Sequence, residues 1–142
     1  MPIEYSVSSG GHFIYALATY PVTRQEFVDY EVDHAISEEI KIPVLELLEI
    51  RSDALRHISK DDVLRVLKRR DEIERLPVPH RCAIVVSYGD VRAWDLAKFY
   101  EGMVMLHPRE SVVVFGDVHT AKLWLGVENI HPNIKNPNSH EQ

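Results

Sequence analysis

The 142-residue chain contains a single cysteine, Cys82, so it cannot form an internal disulfide bond and secretion is not indicated. It also has no excess of basic residues. Its 22 acidic residues against 16 basic ones give a net charge of −6, which argues against nucleic-acid binding, since that role needs a basic face. No apolar run is long enough to cross a bilayer, and the first residues do not have the pattern of a signal peptide. These absences predict a cytoplasmic protein without an integral membrane segment.

The sequence also lacks the short motifs that mark common active sites. It has no Gly-x-Ser-x-Gly elbow, no Gly-x-Gly-x-x-Gly fingerprint and no phosphate-binding loop. Its eight histidines are dispersed without metal-ligand spacing, and we interpret them as surface or loop residues. Asp90 and Asp117 are expected to cap helices with carboxylates, where a bound phosphate would meet negative charge. We therefore expect no catalytic residues, no metal and no cofactor.

A hairpin and a helix are predicted at the start of the chain. Residues 3–8 and 12–20 are rich in β-branched and aromatic side chains, and the Gly10-Gly11 pair between them favours a tight turn. Thr23-Arg24-Gln25-Glu26 has the form of a capping box, which predicts an amphipathic helix from residue 24 to about 39.

Each of the first two predicted helices has an apolar stripe and a charged face. The first helix is expected to bury Phe27, Val28, Val32, Ala35 and Ile36. Its polar face is interpreted as solvated and carries Asp29, Glu31, Asp33, Glu38 and Glu39. The polar face of the second helix is interpreted in the same way and carries Arg65, Lys68, Arg69, Arg70, Asp71, Glu72 and Glu74.

The pattern of the whole chain predicts an α/β fold with the order β-β-α-β-α-β-α-β-α. The later elements are a strand over 42–50, a helix capped by Ser59, a strand over 81–87, a helix from 91 to about 105, a strand over 111–115 and a helix capped by Asp117. We expect a mixed, mostly parallel sheet of about five strands with about four helices. One domain should cover residues 1–126, and the polar tail, 127–142, is expected to be poorly ordered.

Residues 81–126 carry a resemblance to a known family. They include WDLAKFYEGM and VVVFGDVHTAKLWL, in which Phe115, Asp117, Ala121, Trp124 and Leu125 match an F-x-D-x-x-x-A-x-x-W-L pattern. This stretch resembles the SpoIIAA-like (STAS/SEC14-like) family of small bacterial proteins, and the order of elements is that of a STAS domain. The resemblance implies a non-enzymatic regulatory module that binds another protein or a second copy of itself as a homodimer.

Ligands of open α/β sheets generally bind beyond the carboxyl ends of the strands. The candidate binding residues there are Arg51, Ser52, Asp53, His57, Ser59, Lys60, Ser87 and Tyr88. Phosphorylatable STAS proteins carry Asp-Ser-Ser/Thr-Gly at the start of the second helix, and the corresponding Ile58-Ser59-Lys60-Asp61-Asp62 departs from it. Ser59 is thus a candidate for phosphorylation by position, although its interpretation as a helix N-cap is favoured.

A second hypothesis follows from the SEC14 side of the resemblance. It is a carrier or sensor of a small apolar, lipid-like ligand, held in a cavity between the sheet and the helices. The cavity is expected to contain Phe27, Phe99, Tyr100 and Met103. Cys82, within an apolar strand, is interpreted as a small core residue and not as a nucleophile.

Overall fold

The structure, a computed structural model, describes residues 3–72, 79–106 and 110–130. Within these ranges it confirms the predicted order of elements. The elements are β1 (Ile3–Ser8), β2 (Phe13–Ala18), α1 (Arg24–Ile36), β3 (Val44–Ile50), α2 (Lys60–Asp71), β4 (His80–Val86), α3 (Val91–Val104), β5 (Glu110–Phe115) and α4 (Val118–Leu125).

The five strands form one sheet in the order β1-β2-β3-β4-β5, which is also their order in the chain. β1 pairs with β2 antiparallel, and the other neighbours pair parallel, so the predicted mixed sheet is confirmed. Crossovers between parallel strands are right-handed almost without exception. Because all three crossovers step in the same direction along the sheet, they place α1, α2 and α3 on one face.

The two faces of the sheet have separate apolar cores. Leu48 of β3 and Ile84 of β4 belong to the core beneath the three helices. Leu47 and Val85, one residue away in each strand, belong to the core beneath α4. This alternation is what a strand covered on both sides requires, because successive side chains point to opposite faces.

Turns and caps form where the sequence predicts them. The Thr23 hydroxyl accepts from the Glu26 amide at 3.2 Å, and the Glu26 carboxylate accepts from the Thr23 amide at 2.7 Å. In the β1–β2 connection Gly11 has a φ of +99°, and a Cβ there would lie 2.2 Å from the Glu39 carbonyl oxygen. Glycine is therefore required at Gly11 both by its conformation and by the close approach of the backbone.

The helices on the three-helix face do not all approach the sheet equally. The backbone of α2 comes closer to α1 and α3 than to any strand, whereas α3 lies against β4 and β5. Side chains of α2 must therefore cover the distance between its axis and the sheet. That distance is what leaves room for the cavity described below.

Several strand boundaries differ from the prediction by one or two residues, and two further differences change which side chains are buried. α1 ends at Ile36, because the Ser37 backbone already turns to an extended conformation, and the Ile36 side chain is 68% exposed where the sequence predicts it to be buried. Val127, which the sequence assigns to the tail, is buried, and Ile130 packs against the core beneath α4. The rest of the predicted tail, 131–142, lies outside the described residues.

Candidate functional site

A cavity of about 70 Å³ lies between the sheet and helices α1, α2 and α3. Most of its wall is apolar and comes from β3, β4, the turn after β3 and the inner faces of the helices. The apolar lining includes Leu48, Leu55, Ile58, Val66, Ile84 and Leu96. Such a lining favours an apolar occupant, because water needs two to four polar partners to be stable in a buried space.

One end of the cavity is polar. Its wall there consists of Glu31 on α1, Glu46 on β3, Cys82 on β4 and Tyr100 on α3. We call these four residues the polar end. No cationic side chain lines the cavity in the part of the chain that the structure describes. The wall thus combines a long apolar section with two carboxylates, a thiol and a hydroxyl.

Glu46 accepts two hydrogen bonds from residues that lie behind the polar end. The Tyr30 hydroxyl donates to its Oε2 at 2.6 Å, and His80 Nε2 donates to its Oε1 at 2.7 Å. Glu46 is only 2% exposed. A buried carboxylate is tolerated when such donors replace its water, so these two contacts explain why a glutamate stands inside the core.

The surroundings of Glu46 and His80 favour the ionised form of both groups. Burial alone would raise the pKa of Glu46, but the hydrogen bond from His80 and the nearby histidines outweigh it, so the pKa lies well below its usual range. Burial likewise opposes the charge on His80, yet the hydrogen bond to Glu46 and the charge of that carboxylate raise the pKa of His80 above its usual value. Each group therefore maintains the charge of the other.

Arg70 of α2 reaches the same region and meets two carboxylates. Its Nη2 donates to Glu110, and its Nε lies 3.3 Å from Oε2 of Glu31. The Nε–H group is not directed at that oxygen, so Arg70 Nε has no hydrogen-bond partner among the described residues. Arg70 thus neutralises Glu31 by proximity but does not donate a hydrogen bond to it.

Tyr100 completes the polar end. Burial, followed by the charge of Glu31, raises the pKa of the Tyr100 hydroxyl well above its usual value, which keeps the group neutral. This hydroxyl forms no hydrogen bond within the described part of the chain. The polar end therefore presents a carboxylate and a hydroxyl whose hydrogen-bonding capacity the protein itself leaves unused.

His34 lies next to this network but outside the cavity wall. It is 3% exposed and sits among the rings of Tyr5 and Tyr30, with ring centroids 5.3 and 3.9 Å away. Neither ring nitrogen has a hydrogen-bond partner in the described residues. Burial lowers the pKa of His34 despite the nearby charge of Glu46, so the ring is held neutral in an apolar setting.

The predicted binding residues lie at the opposite ends of the strands, since Glu46, His80 and Cys82 stand near the start of β3 and β4. We call residues 51–60 together with Ser87 and Tyr88 the carboxyl-edge surface. Arg51 pairs with Glu49 at 3.1 Å. Ser52, Asp53 and His57 are exposed in the turns that follow β3.

The remaining predicted residues have local structural roles. Ser59 is the N-cap of α2, and it accepts from the Asp62 amide at 3.1 Å. The Lys60 Nζ atom lies 5.5 Å from the centre of the Phe99 ring. Ser87 accepts from the Gly89 amide, and Tyr88 packs on Trp94 with ring centroids 5.0 Å apart.

The prediction from sequence that four residues lie on the surface is wrong. Glu31 lines the cavity and is not on the solvated face of α1, and Arg70 is buried, unlike its neighbours on α2. His34 and His80 are buried and are not surface or loop histidines. One signal was available. Glu46 interrupts an apolar strand that is covered on both faces, and such a carboxylate requires buried donors from elsewhere in the chain.

Comparisons with known proteins add no identification. The chain matches no protein-family model, and a search of curated proteins finds no match either. Among the described residues, no cluster of three or more His, Cys, Asp or Glu side chains is arranged to hold a metal ion. None of the helices in the described ranges is long and apolar enough to span a membrane.

Proposed function

We propose that this chain is a non-enzymatic, cytoplasmic binding protein that carries or senses a small molecule with an apolar part. The observation that supports the proposal is the apolar cavity between the sheet and helices α1, α2 and α3. Protein interiors are normally packed to the density of organic crystals, so a space of this kind is a departure that needs a reason. An apolar ligand supplies one.

The size of the cavity limits the ligand. A single water occupies about 10–15 Å³ of such a space, and an apolar cavity of about 150 Å³ binds benzene. The cavity here, about 70 Å³, is roughly half of the latter. It accommodates a short aliphatic chain. A whole ring would require α2 to move away from the sheet.

The resemblance to SEC14-like proteins also supports a ligand carrier. Of the four residues expected in the cavity, Phe27 and Tyr100 line it, whereas Phe99 packs against the core beneath the three helices without lining the cavity and Met103 is exposed. The cavity is thus smaller than one lined by all four of these side chains would be.

The proposal is tested by filling the cavity from α2. Val66→Phe places a ring in the cavity, and Leu64→Phe, two residues earlier, places the same ring on the exposed face of the helix. We expect 1-butanol to shift the methyl resonances of Leu48 and Ile84 in the wild type and in Leu64→Phe, and not in Val66→Phe. Val66→Met provides a milder filling variant.

Two results of this titration would contradict the proposal. Methyl shifts that are absent in the wild type, or that remain unchanged in a folded Val66→Phe or Val66→Met protein, would show that the cavity does not take up an apolar molecule. The proposal would then be rejected.

A second candidate function is protein binding through the carboxyl-edge surface, as the resemblance to SpoIIAA-like STAS domains implies. Two exposed apolar side chains support it. Tyr88 is 71% exposed and Val91 is 67% exposed. The adjacent Arg92 donates to the Leu55 carbonyl oxygen at 2.6 Å, which connects this segment of the chain to the turn after β3. Exposed aromatic and aliphatic residues of this kind are enriched at the centres of interfaces.

Charge substitution tests the second candidate. Tyr88→Asp combined with Val91→Asp is expected to abolish recovery of a partner in a cross-linked pull-down, or to convert a homodimer to a monomer in analytical ultracentrifugation. Leu123→Asp, at an exposed position of α4, is the control. A wild-type protein that is monomeric and recovers no partner would exclude this function.

A further inference from the structure

We propose that the ligand of the cavity carries an ammonium group, which binds to Glu31 beside the Tyr100 hydroxyl while a short apolar chain occupies the rest of the cavity. This inference rests on the proposed ligand-binding function and specifies the chemical class of the ligand. It is carried by the geometry of the polar end and by the distribution of charge along the cavity wall.

The Glu31 carboxylate is the group that lacks a hydrogen-bond donor. Its side chain is 12% exposed, and its one close cation, Arg70 Nε at 3.3 Å, is not oriented to donate to it. The Glu31 oxygen atoms are not among the enclosed polar atoms without a partner, so they remain accessible and can accept hydrogen bonds from a ligand. An ammonium group provides three N–H donors and a matching charge.

The groups that line the cavity determine which charge a ligand can carry. Glu31 and Glu46 both line the cavity, and the cationic partners Arg70 and His80 are not among its described lining residues. Arg70 and His80 balance these two charges from behind the wall, but the charged atoms that line the cavity are carboxylate oxygens, which accept hydrogen bonds and cannot donate one to the carboxylate of a fatty acid. A cation placed there is instead paired and hydrogen-bonded.

Glu46 has a supporting role in this arrangement. Its two oxygen atoms already accept from Tyr30 and His80 at 2.6 and 2.7 Å, so it contributes charge while its position stays fixed. Glu31 is paired with Arg70 Nε at 3.3 Å but accepts no hydrogen bond from it, so its oxygen atoms can still accept from a ligand. Because Tyr100 forms no hydrogen bond in the described residues, its hydroxyl oxygen is available as an additional acceptor.

Three probes with the same four-carbon skeleton distinguish the head groups. Butylammonium, 1-butanol and butyrate are titrated against the intact chain at pH 7, and the shifts of the cavity methyl groups give each Kd. We expect butylammonium to bind about tenfold more tightly than 1-butanol, since charge-assisted hydrogen bonds are about twice as strong as neutral ones. Butyrate should bind more weakly than 1-butanol.

Glu31→Gln tests the residue itself. It is expected to reduce butylammonium affinity about tenfold, to the level of 1-butanol, and to leave the Kd of 1-butanol within about twofold. Asp29→Asn removes the same charge from an exposed position of α1 and should change neither Kd. Tyr100→Phe, which breaks no protein hydrogen bond, should weaken butylammonium about fivefold.

The possible results separate this inference from the function on which it rests. Equal affinity for butylammonium and 1-butanol, or tightest binding of butyrate, would overturn the ammonium assignment and leave ligand binding intact. Butylammonium affinity that is unchanged in both Glu31→Gln and Tyr100→Phe would overturn the assignment to the polar end. Binding of none of the three probes would reject both proposals.

Discussion

His34 and His80, both buried, have pKa values shifted in opposite directions because their neighbours differ. His80 donates to a carboxylate, and its pKa is raised, whereas His34 has aromatic neighbours and no hydrogen bond, and its pKa is lowered. The same side chain therefore stabilises the fold as a cation at one position and is tolerated only when neutral at the other. Both effects follow from what each ring touches.

Replacement of His34 by phenylalanine should stabilise the protein. The substitution keeps an aromatic ring among Tyr5 and Tyr30 and removes two buried nitrogen atoms that have no described partner. An unsatisfied buried polar atom costs about 1–3 kcal/mol, so we expect the free energy of unfolding to rise by about that amount at pH 7.5. Urea denaturation measures it.

The increase in the free energy of unfolding that His34→Phe produces should be larger at acidic pH. Burial lowers the pKa of His34 in the folded state, with Glu46 and Glu31 opposing this effect and His80 and Arg70 adding to it. The unfolded chain therefore binds a proton on His34 as the pH falls below about 6.5, and the folded protein binds it only at a lower pH. Acid thus destabilises the wild type through this residue.

At pH 5.5 the difference between His34→Phe and the wild type should exceed the difference at pH 7.5 by about 1 kcal/mol. His57→Phe is the control, because His57 is exposed and should give less than about 0.5 kcal/mol at either pH. A destabilised His34→Phe protein would show that the ring nitrogens have partners in solution.

At the level of elements, α2 differs from α3 because its backbone lies closer to its neighbouring helices than to the sheet, while its buried Val63 and Val66 line the cavity. Its N-terminus is fixed by a reciprocal capping box, in which the Asp62 carboxylate also accepts from the Ser59 amide at 2.9 Å. The ion pair of Arg24 with Asp62, at 3.2 Å, connects the start of α2 to α1. The cap is therefore important for a helix that receives little support from the sheet.

Removal of this cap should loosen the start of α2. We expect Ser59→Ala to lower the free energy of unfolding by about 1 kcal/mol, because the Asp62 amide loses its acceptor. Amide hydrogen exchange should accelerate in the first turn of α2 more than in α3. Ser52→Ala, at an exposed position of the preceding turn, should change neither quantity. Uniform acceleration across the helices would contradict a local role of the cap.

The elements were predictable from local patterns, and the candidate site was not. Glycine pairs, capping residues and alternating apolar runs depend on neighbours in sequence, and they predicted the correct order of five strands and four helices. Glu31 lies four residues after Phe27, and Arg70 four residues after Val66, so both stand on the buried stripes of their helices and only their charge suggested a solvated position. Which carboxylates and cations meet inside the fold depends on how the helices pack against one another, and local patterns do not contain that information.

For the whole molecule, the order of strands in the sheet bears on how the protein is made. Each parallel strand pairs with the strand before it in the chain, over a separation of about 30 to 36 residues. The N-terminal part of a chain is synthesised first, and unpaired strand edges promote aggregation. A ribosome delivers these strands in the order in which the sheet grows. No early parallel strand therefore has to stay unpaired until a strand distant in the sequence has been synthesised.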